Sequence, residues 1–140
     1  MRKLLLAVDG SDSALHAAAH VADLAALQPG LTVHVVNVQV PLRGDVAMFV
    51  PGDDIEAWHQ EQGGRELARV VALLTERAVS HTKTVMVGPV AETIARAVRE
   101  EGADAVVMGS RGLGALAGIV LGSVATKVIH LVDVPVTLVK

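Results

Sequence analysis

Short apolar runs alternate with longer amphipathic stretches along the whole of this 140-residue chain, and few folds accept that rhythm. The runs occupy 3–8, 31–38, 82–87, 105–109 and 135–139, and several are apolar almost throughout rather than at every second position. Strands of that kind are buried on both faces, which is the condition of a parallel sheet covered by helices above and below. The intervening stretches supply those helices. Leu15, Ala18, Ala19, Ala22, Ala25 and Ala26 recur at helical spacing after Ser11 and Asp12, either of which can cap the helix, and Pro29-Gly30 stops it. Further helices are predicted over 54–80, 91–101 and 123–131, the first with Gly63-Gly64 as a weak point costing about 1 kcal/mol per glycine. From the end of the second strand to Asp53, Pro41, Gly44, Pro51 and Gly52 predict a long loop, and loops of that length in a compact domain are usually functional or mobile.

Five strands in strict alternation with four helices predict one α/β domain over residues 1–140. The expected form is a doubly wound, open five-stranded parallel sheet, Rossmann-like, with helices on both faces. If the fourth strand returns to pair with the first, the strand order is 3-2-1-4-5, and the reversal opens a crevice at the carboxyl ends of strands one and four. Asp9 ends the first of these strands and Gly109 the other, so residues a hundred positions apart meet at one ligand site.

The chain after the fourth strand carries the matching chemistry. Gly109-Ser110-Arg111-Gly112, nine uncharged residues and Gly122-Ser123 spell G-x2-G-x9-G-[ST]. Glycines at 109 and 112 allow a tight turn and a close approach of backbone to ligand. Gly122-Ser123 opens a helix whose free N–H groups and positive dipole end suit phosphate, Ser123 adding a hydroxyl and acting as the cap. Arg111 extends from the turn towards an outer phosphate. Hydrogen bonds to a charged group contribute about 1.5–3 kcal/mol each, so four or five suffice for roughly micromolar binding.

Composition removes other classes. A net charge of −3, one Phe49, one Trp58 and no tyrosine leave neither the basic stripe nor the stacking aromatics of a nucleic-acid surface. The absence of cysteine excludes a disulfide scaffold and a thiolate zinc site. No run reaches 18 apolar residues, and Met1-Arg2-Lys3 leads into a strand rather than a signal-peptide core, so a cytoplasmic protein without membrane insertion is expected. His16 and His20 lie four apart on the first helix without a third metal ligand, and His34, His59, His81 and His130 are isolated. No Ser-His-Asp or paired-carboxylate constellation is recognisable.

With these residues in view, the chain resembles the universal stress protein family over its whole length. Three signatures carry the resemblance: the opening strand ending in Asp9-Gly10-Ser11, the turn Met108-Gly109-Ser110-Arg111-Gly112, and Leu121-Gly122-Ser123-Val124. The glycine spacing marks that family's ATP-binding branch. The resemblance implies an adenine nucleotide alpha hydrolase-like fold and a bound ATP, AMP or ADP, with or without Mg²⁺. Ala7, Val8 and Asp9 would line the adenosine, with Asp9 facing ribose, and Val38 would contact adenine. Met108, Gly109, Arg111, Gly112, Gly122, Ser123 and Val124 would surround ribose and phosphates. Slow ATP hydrolysis or autophosphorylation, with Ser110 or Ser123 as acceptor, is the most enzymatic activity expected.

The family also implies a homodimer through its final strand, and 136–139 is an apolar edge strand that needs covering, with Lys140 as gatekeeper. Two departures stand out: Ala7 replaces the proline of some nucleotide binders, and 113–121 lacks the charge many relatives carry there. The leading reading is a nucleotide-dependent stress-response regulator. The alternative is a nucleotide-independent dimeric interaction module whose uncharged 113–121 surface docks a protein partner.

Overall fold

In the computed structural model, which describes residues 1–42, 44, 48–112 and 121–140, the first strand lies at the centre of the sheet. The elements in chain order are β1 (Lys3–Ala7), α1 (Asp12–Leu27), β2 (Thr32–Gln39), α2 (Gly52–Glu76), β3 (His81–Val87), α3 (Val90–Glu101), β4 (Ala105–Gly109), α4 (Ser123–Leu131) and β5 (Val136–Val139). They form one five-stranded sheet in the order β3-β2-β1-β4-β5, every pair parallel. The expected fold and reversal are therefore present. Leu5 pairs with His34 of β2 on one side and with Val106 of β4 on the other.

Side chains of β1 alternate between two cores. Leu4, Leu6 and Val8 join the layer of α1 and α2, whereas Leu5 and Ala7 join that of α3 and α4. Leu4, Leu5 and Leu6 are fully buried, and each contributes about 1.5–3 kcal/mol relative to exposure. The ion pairs joining α1 to α2, Arg69–Asp12 at 3.2 Å and Arg77–Asp23 at 2.8 Å, are exposed and worth about 1 kcal/mol at most. Apolar burial thus holds the layers together. Ala14, Ala17, Ala18 and Ala22 present only methyl groups to the core and keep α1 close to the strands.

Two expectations about α2 change. Gly63 does not weaken it: the helix runs unbroken from Gly52 to Glu76, and a Cβ at Gly63 would lie 2.5 Å from a methyl of Val85 and 2.9 Å from Asn37 Oδ1. The glycine lets the helix approach the sheet. The helix also stops at Glu76 rather than at Ser80, because Ala78 adopts a left-handed φ of 54°. The Ala78 N–H then donates to Thr75 O and that of Val79 to Leu74 O, closing the helix as a Schellman motif.

At the amino end of the sheet, away from the crevice, His34 is buried, its Nδ1 2.6 Å from Thr82 Oγ1. Glu101 lies between its Nε2, at 3.7 Å, and Lys3 Nζ, at 2.8 Å. Burial holds the His34 pKa below its ordinary value despite Glu101, and the hydrogen bond from Lys3 holds Glu101 below its own.

Candidate functional site

The site begins where β1 runs out. Gly10, at a φ of 85°, turns the chain, Asp9 Oδ1 accepts from the Ser11 N–H at 3.0 Å, and Ser11 Oγ caps α1 by accepting from the Ala14 N–H. Of the two candidate caps, Ser11 is the one used. The turn therefore orients the Asp9 carboxylate before any ligand enters.

Opposite, β4 ends at Gly109. A Cβ there would lie 2.6 Å from Ser13 Cβ and 2.9 Å from Ser13 backbone, so glycine lets the start of α1 pack against the strand end. The Ser110 N–H then donates to Val139 O at 2.7 Å, and Ser110 O accepts from the Gly122 N–H at 2.6 Å, which brings the start of α4 beside the turn. Gly122, not Ser123, is the N-cap, with an extended conformation (φ −72°, ψ 158°) and no side-chain cap. Ser123 is the first helical residue, so its hydroxyl is not committed to capping. The N–H groups of Ser123, Val124 and Ala125 have no intrahelical acceptor and concentrate the positive end of the helix dipole. Gly112 lies against Asp9: a Cβ at 112 would be 2.6 Å from Asp9 Oδ2.

Between these two ends lies a cavity of about 650 Å³. Every residue expected from the sequence lines it: Ala7, Val8, Asp9, Val38, Met108, Gly109, Arg111, Gly112, Gly122, Ser123 and Val124. Val36, Val40, Val90, Ile94, Ala125 and Leu121 add apolar wall, and Glu66 and Ser110 add polar groups. Val36 was within reach of sequence reasoning, since it shares a strand face with Val38, and Val90 and Ile94 share a helix face at i, i+4. Glu66 carried no signal, because it reaches the cavity from the middle of α2.

Ser110 is buried, and its Oγ has no hydrogen-bond partner among the described residues. Arg111 is exposed and is the one cation lining the cavity among them. Of the uncharged 113–121 segment only Leu121 lies within the described residues, and within the expected loop 43 and 45–47 lie outside them. Among the described residues no group of three or more His, Cys, Asp or Glu side chains is placed to hold a metal. His16 bonds through Nδ1 to Lys140 O at 2.8 Å. No described helix is long and apolar enough to cross a membrane.

Comparison with known proteins agrees with this architecture. The chain is 35% identical over 144 residues to a universal stress protein of Thermus aquaticus encoded in the QAH/OAS sulfhydrylase 3′ region, covering 99% of this chain and 98% of the relative. Among solved structures, MJ0577 matches with a TM-score of 0.84 at 27% identity, over 99% of this chain and 95% of that one. The universal stress protein of Archaeoglobus fulgidus in complex with dAMP matches with a TM-score of 0.72 at 25% identity, over 100% of this chain and 98% of that one. The model of the universal stress protein family matches residues 1–140, and the chain belongs to that family.

Proposed function

We propose that this protein binds an adenine nucleotide, ATP or its di- and monophosphates with or without Mg²⁺, and that occupancy regulates its interactions in a stress response. The observation that carries the reading is the two-ended cavity at the sheet reversal. One end has apolar walls from Val36, Val38, Val90 and Ile94 beside Asp9, and suits a nucleoside. The other combines the glycine turn, the amino end of α4, Ser123 and Arg111, and suits phosphate. The volume of about 650 Å³ accommodates a nucleotide. A relative of similar fold, from Archaeoglobus fulgidus, is in complex with dAMP, which supports the adenine assignment.

Asp9 would orient the ribose, Val38 would meet the base, and Arg111 would neutralise the outer phosphates. Comparing ATP with AMP tests this division of labour. Arg111→Ala should weaken ATP by about tenfold at most, since the guanidinium is exposed, and leave AMP unchanged. Equal loss for both nucleotides would refute the assignment of Arg111.

The regulatory part of the reading includes a homodimer through β5. Among the described residues that strand pairs only with β4, which leaves its outer edge available to a second copy. Light scattering should give the mass of two chains, and the mass of one would contradict it.

A further inference from the structure

Among the described residues two carboxylates line the cavity, Asp9 and Glu66, and the second is held by two side-chain amides of β2. Asn37 is completely buried on β2, and its Nδ2 donates both to Val8 O at 2.9 Å and to Glu66 Oε2 at 2.6 Å. Two residues on, Gln39 is also buried, and its Nε2 donates to Asn37 Oδ1 at 2.8 Å and to Glu66 Oε2 at 3.0 Å. Every amide hydrogen of the pair is thereby used. Both bonds to the carboxylate end on one oxygen, Oε2, and Oε1 bonds no described residue. A glutamine at 66 would satisfy both amides with its single oxygen. What glutamate adds is a second acceptor, fixed in place by a saturated network.

The position of that acceptor selects its partner. Glu66 packs against Gly10, where a Cβ would lie 3.2 Å from its Cγ, so it stands beside the Asp9 turn and over β1 and β2. The phosphate-type features lie on β4 and α4, on the other side of β1. A carboxylate repels phosphate, and on an adenine nucleoside the groups able to donate to it are the ribose hydroxyls and the base amine. The apolar wall for a flat base is formed from the α3 side, by Val36, Val38, Val90 and Ile94, whereas Glu66 arrives from α2. We propose that Glu66 accepts a hydrogen bond from a ribose hydroxyl of the bound nucleotide, and so makes the site prefer ribonucleotides to deoxyribonucleotides. This rests on the nucleotide reading of the cavity.

Affinities of ATP, 2′-deoxy-ATP, 3′-deoxy-ATP and inosine triphosphate, measured on the wild-type protein and on Glu66→Gln, test it. The wild type should bind ATP about tenfold more tightly than at least one deoxy analogue. In Glu66→Gln, Asn37 and Gln39 hold the new side-chain oxygen and turn its NH₂ to the cavity, replacing an acceptor by a donor. That preference should then fall to within about twofold, while the ratio of ATP to inosine triphosphate stays as in the wild type. Thermal unfolding should match the wild type, because both amide bonds persist.

A wild type indifferent to both deoxy analogues overturns the proposal without needing the variant. So does a variant that keeps the ribose preference, or one that loses discrimination at the base amine instead. Those results leave nucleotide binding intact, whereas failure of the wild type to bind any of the four removes the proposal and the nucleotide reading together.

Discussion

Gly109 and Gly112 stand in one turn and share one motif, yet the absence of a side chain serves a different purpose at each. At Gly109 the space belongs to the backbone of Ser13 and Ala14, which cannot move without displacing α1. At Gly112 it belongs to the Asp9 carboxylate, whose other oxygen accepts from the Ser11 N–H. Gly109→Ala should therefore cost about 1–3 kcal/mol of stability in urea unfolding. Gly112→Ala should cost less stability, about 1 kcal/mol for the hydrogen bond of the Asp9 turn, but weaken ATP about tenfold by displacing Asp9. The reverse pattern would show the motif glycines misassigned. The motif was legible in the sequence because its spacing survives in one dimension. Which glycine packs against α1 and which against the Asp9 carboxylate was not, since Ser13 and Asp9 lie about a hundred residues away.

Among the elements, α2 departs most from what its sequence suggests. The five strands and the reversal between β1 and β4 were legible, because the buried inner strands leave apolar runs and the helices between leave periodic ones, although the edge strands β3 and β5 are partly exposed rather than covered on both faces. The end of α2 was not, because Ala78 occupies a left-handed position where glycine is usual and so leaves no stop signal. α3 ends in the same way on Gly102, at a φ of 62°, and there the sequence does carry the signal. Ala78→Gly should relieve the backbone strain and stabilise the protein by about 1 kcal/mol, raising the midpoint of thermal unfolding by roughly 3 °C. A lower midpoint would contradict the left-handed assignment. Gly63 misleads for another reason: a helical glycine reads as a weakness until Val85 and Asn37 are seen to fill the space beside it. Glu66, one turn further along, was illegible as a site residue because only the packing that Gly63 permits brings α2 to the rim of the crevice.

At the scale of the molecule, the two ends of the sheet divide the work, the carboxyl end holding the crevice and the amino end a cluster of charges. Acid should act through the latter. Burial keeps His34 neutral in the folded chain below its ordinary pKa of 6.5, so the unfolded chain binds the extra proton and stability falls as pH drops below that value. Glu101, depressed by Lys3, and Asp104, depressed by the backbone N–H groups of Lys3 and Arg2, contribute stability that is complete above their ordinary values of 4.5 and 3.8 and is lost as pH falls through their lower folded values. Urea unfolding should thus show a plateau at neutral pH, a decline beginning near 6.5 and a second, lower decline. His34→Gln should remove the first decline and spare the second, and a profile unchanged by that substitution would refute the assignment to His34.

On the proposed reading of the crevice, a chain of net charge −3 captures a polyanion with locally fixed dipoles and, among the described residues, one arginine, rather than with a global field. Isothermal titration of the purified wild-type protein with ATP tests it most directly. Saturable heat is expected at one nucleotide per chain, with a dissociation constant on the order of micromolar. No saturable heat up to about millimolar ATP would contradict it.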